Sequence, residues 1–215
     1  MVLIIYELFF MSSFLFFQTA VRLAHEYWTR LLQPGDSVID ATCGNGHDTL
    51  FLAQSILSNE KGRLYACDIQ EKAILATKER LEEHLSSEQF DSVEFVHACH
   101  SIFPVEIQKE TLRLVVYNLG YLPNSDKALT TCRESTIKSL ENALDLILPG
   151  GVISVTCYPG HEEGLHEEAA ILDWVESLDA KRYSCCHHRF VNRKRAPSLL
   201  LIEKQSDQKR KIVQK

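Results

Sequence analysis

The chain has no cysteine spacing that suits a metal, no internal repeat, no low-complexity tract and no apolar run as long as the ~20 residues of a membrane-spanning helix. Each absence removes a class of protein. The seven cysteines are odd in number and scattered apart from the neighbours Cys185 and Cys186, so neither a secreted disulfide framework nor a structural zinc site is expected. The expected compartment is the cytoplasm, where thiols stay reduced. Cys43, Cys67 and Cys157 fall in or beside apolar, strand-like runs, where a free cysteine behaves as a small buried hydrophobe. Residues 1–17 are strongly apolar, broken by Glu7, Ser12 and Ser13, yet they lack a positive start and a small-residue cleavage site. A membrane partner is therefore not expected. Met11 is an alternative start, which would leave residues 1–10 untranslated; residues 1–13 are set apart as an apolar N-terminal extension, and a helix is expected to run from near Ser12 or Ser13 to Arg30.

What is present is an ordinary globular composition, 45% hydrophobic and 24% charged over 215 residues, enough for one well-buried domain, placed at residues 14–204. The charge is lopsided. Residues 181–215 hold 11 of the 23 Lys and Arg but two of the 29 acids, Glu203 and Asp207, giving +9 against −15 for the rest. An acidic body with a basic end suits a polyanion approaching from one side. Residues 205–215 read as a frayed basic tail, whereas Arg189, Arg193, Lys194 and Arg195 belong to a predicted hairpin that would hold them in place. A homodimer is among the expected states.

Apolar periodicity predicts a helix over 19–32, closed by Pro34-Gly35, followed by alternating strands and helices. Strands are predicted at 37–41, 64–67, 93–96, 112–118 and 151–157, the last introduced by a Pro149-Gly150 turn. Helices are predicted at 48–57, 71–84, 134–147 and 164–177. Two closing runs, 183–191 and 198–203, separated by a short basic turn, read as an antiparallel hairpin. The expected fold is α/β: a Rossmann-like, mostly parallel seven-stranded sheet with an antiparallel C-terminal hairpin. In such a sheet ligands bind outside the carboxyl ends of the strands, so residues 44–48, 68–70, 98–101 and 118–126 should meet at one crevice.

Those four segments carry the chemistry. Gly44 and Gly46, after the strand that ends at Asp40, allow a tight turn and close approach to a ligand, with Asp48 or Thr49 expected to cap the next helix. Asp68, followed by Ile69 and Gln70, ends the second strand where a carboxylate takes the ribose hydroxyls of an adenosyl cofactor. His100 follows the third strand, on the side expected to face the adenine. Beyond the fourth, Asn118 supplies an amide, Gly120 permits close backbone approach and Tyr121 offers a stacking face. This set suits methyl transfer to an amine, whose lone pair must be aimed at a sulfonium methyl. His187 and His188 cannot share one metal ion, since neighbours on a strand face opposite ways.

The run Asp-Ala-Thr-x-Gly-Asn-Gly-His-Asp-Thr at 40–49 is joined by Asp68-Ile69-Gln70, Asn118-Leu119-Gly120-Tyr121-Leu122-Pro123 with Asp126-Lys127, and Pro149-Gly150-Gly151. Tyr158-x-Gly160-His161 with Glu163-Gly164, and Phe190-x-Asn192, complete the set. Together, in this order, they resemble the small class I methyltransferases labelled rRNA methylases, the YtqB type. The resemblance covers about residues 19–204. It implies the donor S-adenosylmethionine and, as acceptor, 5-aminomethyl-2-thiouridine at the wobble position of tRNA, methylated to 5-methylaminomethyl-2-thiouridine (the MnmM activity). The implied cofactor residues are Asn45, Asp48, Asp68, Gln70 and His100, joined on the residue reading by Asp40, Gly44, Gly46, Thr49, Ile69 and Asn118. Asn118, Tyr121 and Asp126 are the candidate catalytic residues. Gly120, Tyr121, His161, Arg189, Asn192, Arg193, Lys194 and Arg195 are the candidate contacts to the tRNA anticodon arm. Cys43 stands where a smaller residue is expected, and the apolar extension is no feature of the family. The Asn-Leu-Gly-Tyr loop also resembles the Asn-Pro-Pro-Tyr loop of base amino-methyltransferases, though without its prolines, and that likeness keeps an exocyclic base amine open as acceptor. Ribosomal RNA or a small amine remain alternatives, as does a non-catalytic or dinucleotide-binding protein. That last reading would want a third glycine where Thr49 stands.

Overall fold

A computed structural model describes residues 18–58, 62–120 and 133–206. The extension at 1–13, the tail from 207 onward, Tyr121 and Asp126 lie outside the described residues. The elements run α1 (Ala20–Leu31), β1 (Ser37–Asp40), α2 (His47–Ile56), β2 (Arg63–Asp68), α3 (Glu71–His84), α4 (Ser87–Phe90), β3 (Val93–His97), β4 (Leu112–Leu119), α5 (Arg133–Leu146), β5 (Ile147–Cys157), α6 (Glu162–Glu176), β6 (Tyr183–His188) and β7 (Ser198–Lys204). The seven strands form one sheet in the order β3-β2-β1-β4-β5-β7-β6. Strands β1 to β5 are parallel; β7 runs antiparallel to β5 and β6 antiparallel to β7. The expected α/β architecture is the observed one.

Strands buried on both faces are apolar nearly throughout, and here the two faces separate cleanly by residue parity. Leu114 and Val116 of β4, with Leu199 and Leu201 of β7, pack under α1, α2 and α3. Val115 and Tyr117, with Leu200 and Ile202, pack under α5 and α6. Each fully buried Leu or Ile contributes about 1.5–3 kcal/mol on this account. Helix α1 is fastened to the first layer by Trp28, 1% exposed, whose indole N–H donates to Ser154 Oγ on β5 at 3.0 Å.

Four expectations are corrected. Helix α1 begins at Ala20 and not near Ser12 or Ser13, because the Thr19 hydroxyl accepts from the Arg22 amide and caps it there. Helix α2 is capped by neither Asp48 nor Thr49 but by Gly46, at φ 76°, where a Cβ would also stand 2.9 Å from Thr77 Cα; both facts demand glycine. Pro149-Gly150 does not precede β5 but lies inside it: pairing with β4 jumps from Leu112↔Ile147 to Leu114↔Val152, so the extra residues are absorbed as an irregularity. Strand β6 stops at His188, which leaves residues 189–197 as a loop longer than the short turn expected. The short α4 carries a capping box, Ser86 with Gln89, that the periodicity of so few residues does not announce.

Candidate active site

The carboxyl ends of β1, β2, β4 and β5 lie side by side and open a cleft of about 750 Å³. Its wall is made by residues 41–45, 47 and 48, by 68–70, by His100, Asn118 and Gly120, and by Tyr158, Gly160, His161, Arg195 and Pro197.

The glycine loop is pinned to its neighbours. Asp68 is the hub: Oδ2 accepts from the Gly44 amide at 3.0 Å and Oδ1 from the Gln70 amide at 2.9 Å, so one carboxylate orders two loops at once. Burial pushes its pKa up, opposed by these amide bonds. The Thr77 hydroxyl donates to Gly44 O at 3.1 Å, and Arg80 Nε donates to Asn45 O at 2.6 Å.

Asp40 and Thr49 do not reach the cleft wall. Asp40, 1% exposed, lies beneath the loop, where Thr49 Oγ1 donates to Oδ2 at 2.7 Å and the Thr42 amide to Oδ1 at 3.2 Å. Burial first, then the nearby Asp48 charge, pushes its carboxyl up to about 7. The two residues are expected from the sequence as cofactor contacts; they instead satisfy one another and hold the loop from below.

Asp48 joins two distant parts of the chain. Its Oδ1 lies 2.6 Å from His25 Nε2 on α1, and its Oδ2 accepts from Asn118 Nδ2 at 2.7 Å. A carboxylate only accepts, which fixes the amide orientation of Asn118. The Asn118 backbone amide is also held, donating to Thr42 Oγ1 at 2.7 Å. Asn118 Oδ1 is left buried with no partner among the described residues.

His100 is the second such case. It is 7% exposed, burial pushes its imidazole down to about 4, and Nδ1 has no partner among the described residues. The ring is therefore neutral at ordinary pH, edge-on to Tyr117 at 6.0 Å. Tyr158, whose place in the wall sequence reasoning missed, carries a hydroxyl pushed up to about 12 by burial and then by the Asp48 charge. A Cβ at Gly120 would sit in ordinary contact, 3.5 Å from Tyr158 Cδ2, so space alone does not require glycine there. His161 stands in the wall and also caps α6, its Nδ1 accepting from the Gly164 amide at 3.1 Å.

Of the basic loop, Arg195 reaches the cleft, while Arg189, Asn192, Arg193 and Lys194 are exposed outside its wall. Arg193 lies over the Phe190 ring at 4.8 Å. Both ends of the loop are tied to one side chain: Ser198 Oγ donates to Glu168 on α6, and His187 Nε2 lies 3.6 Å from the same carboxylate. The His187 imidazole and the Ser198 hydroxyl hold Glu168 below the usual carboxylate range. His188 points the other way, to Tyr27 Oη on α1 at 3.1 Å, as strand alternation requires. Among the described residues no group of three His, Cys, Asp or Glu side chains is placed to hold a metal ion, and no helix is long and apolar enough to cross a membrane.

Residues 64–204 match the rRNA methylase family. The chain belongs to that family. A relative is the chloroplastic tRNA (mnm(5)s(2)U34)-methyltransferase of Arabidopsis thaliana, 34% identical over 192 residues, covering 87% of this chain and 70% of the relative. Among solved structures, an rRNA methylase from Clostridium thermocellum superposes with a TM-score of 0.81 at 34% identity, covering 87% of this chain and 98% of that one. A methyltransferase from Streptococcus mutans, solved in complex with SAH, superposes with a TM-score of 0.75 at 27% identity, covering 87% and 99%. The match to the rRNA methylase family begins at residue 64, so the glycine loop and His25 lie upstream of it.

Proposed function

We propose that this chain is an S-adenosylmethionine-dependent tRNA methyltransferase that converts 5-aminomethyl-2-thiouridine at the wobble position to 5-methylaminomethyl-2-thiouridine. The relative from Arabidopsis thaliana bears the name of that activity, and the structure from Streptococcus mutans holds the demethylated donor. The single observation that carries the reading in this molecule is Asn118: its Oδ1 is a buried acceptor without a partner among the described residues, in the wall of the cleft. An orphaned buried acceptor costs about 1–3 kcal/mol, a cost that an N–H donor from a ligand offsets.

The residues fit the donor. The loop at 44–46 would hold it by its backbone, Asp68 would meet the ribose, and His100 would lie toward the base with a neutral ring. S-adenosylmethionine, when bound, supplies an electrophilic methyl on sulfur. The chain supplies orientation. Asn118 Oδ1 accepts one N–H of the acceptor amine and so turns its lone pair along the line of transfer. A free alkyl amine, with a lysine-like pKa of about 10.4, is mostly protonated at neutral pH, so the cleft must take the neutral form or remove a proton. Tyr121 and Asp126, in the sequence that follows β4, remain candidates.

We further propose that the anticodon arm lies across the basic loop. Arg195 is placed at the cleft and Arg189, Arg193 and Lys194 point outward, where phosphates would meet them. All six described cysteines are free, in keeping with the cytoplasm or another reducing compartment. The test is tRNA carrying the aminomethyl-thiouridine, incubated with enzyme and donor and digested to nucleosides. Methylaminomethyl-thiouridine is the expected product. A methyl group on any other nucleoside, or on none, overturns the assignment.

A further inference from the structure

We infer that His25, on α1, is a positioning residue for methyl transfer, fixing through Asp48 the direction in which Asn118 presents its carbonyl oxygen. The inference rests on the proposed amine acceptor and adds a residue that lies upstream of the family match and outside the motif of the glycine loop.

Three observations join. First, the amide of Asn118 has two near-symmetric orientations, and only the contact from Nδ2 to Asp48 Oδ2, at 2.7 Å, selects the one that frees Oδ1. Second, Asp48 would be free to turn about its own side-chain bonds were its other oxygen not held by His25 at 2.6 Å. Third, His25 is itself immobilised: its ring stacks on Phe51 with centroids 4.1 Å apart and planes at 21°, and lies 4.9 Å from Trp28, which is locked to β5. The chain of contacts thus runs from the rigid sheet, through Trp28 and the imidazole, to the amide at the reacting end. The charged and titratable groups around Asp48 are His25, Asp40 and Tyr158. None of the others donates to Oδ1 among the contacts of the described residues, so the donor there is His25.

A role in packing alone and a role in positioning predict different variants. His25→Phe keeps an aromatic ring against Phe51 and loses the donor; His25→Gln keeps an N–H donor at comparable reach and loses the ring. Turnover is measured with aminomethyl-thiouridine tRNA at saturating donor, alongside donor affinity by calorimetry and thermal stability. His25→Phe is expected to lower kcat about 10- to 100-fold, the penalty of a misaimed reacting group, with melting temperature near that of the wild type. His25→Gln should recover to within about threefold of wild-type kcat despite poorer packing. In an Asn118→Ala background, His25→Phe should cost less than about twofold more, because residues acting through one another are not additive. Wild-type kcat in a folded His25→Phe protein, a loss seen solely in donor affinity, or fully additive losses in the double variant overturns the inference. A wild-type enzyme inactive on this tRNA overturns the acceptor assignment and, with it, this role. An active wild type with an unimpaired His25→Phe variant overturns the positioning role alone.

Discussion

Replacing Asp40 by Asn should make the protein less sensitive to pH without loosening the glycine loop. The carboxyl is buried, and its pKa lies at about 7 in the folded chain against 3.8 for the free side chain. For an acid whose folded pKa is raised, the stabilising contribution is complete below pH 3.8 and is lost as pH rises toward 7, because the unfolded chain releases its proton first. Across pH 5 to 7 the loss amounts to about 2–3 kcal/mol for this group. Asn keeps the bonding: its Oδ1 accepts the Thr42 amide now on the carboxylate, and its Nδ2 donates to Thr49 Oγ1, a hydroxyl that serves equally as acceptor. The difference in unfolding free energy between variant and wild type, from urea titrations at pH 5, 6, 7 and 8, should therefore grow with pH in favour of Asn and level off above 7. Asp68, whose pKa burial also raises, is present in both proteins, so subtraction removes its own titration apart from its charge coupling to Asp40. Parallel stability curves for the two proteins would refute the assignment of a buried, protonating Asp40.

Gly46→Ala should lower stability by about 1–3 kcal/mol in the same titrations, since the new Cβ meets the Thr77 backbone at 2.9 Å in a left-handed conformation. Asp68→Ala should weaken donor binding by about 1.5–3 kcal/mol in calorimetry, because it removes the expected ribose contact and frees the Gly44 and Gln70 amides together. Neutralising Arg189 and Arg193, which lie outside the cleft wall, should leave donor affinity unchanged and flatten the salt dependence of tRNA binding by a slope of roughly 0.7 to 0.9 for each phosphate no longer neutralised. Replacing Cys43, Cys67 or Cys157 by Ala should leave kcat within about tenfold, since all three thiols are held protonated by burial and direct attack by an amine needs no covalent intermediate.

The sheet was legible in the sequence because its strands carry their instruction locally: uninterrupted apolar runs such as 112–118, spaced by helical patterns, admit few arrangements other than a parallel sheet. The positions of Asp68 and Asn118 at strand ends followed from the same rule. What escaped was set by contacts between residues far apart in the chain. His25 is one of several polar residues on an amphipathic helix, and its partner stands 23 residues away. Asp40 and Thr49 look like ligands until burial shows that they satisfy one another. Tyr158 was visible within a motif, but nothing in its neighbours says that the β5–α6 turn folds over the cleft. Sequence pattern overextends strand β6 by three residues because Val191, 87% exposed, has the composition of a strand and not its partners.

The anchoring of the basic loop by a single side chain has an evolutionary consequence. Since Ser198 and His187 both close on Glu168, the stem at the mouth of the cleft is completed by α6 and owes little to residues 189–197 themselves. A loop closed at its base in this way can lengthen, shorten or change its charges without disturbing β6 and β7, as added loop length costs only about 0.6 kcal/mol per doubling. Members of one lineage can therefore vary the tip, and with it the charge presented beside the cleft, while β6, β7 and α6 beneath are inherited intact.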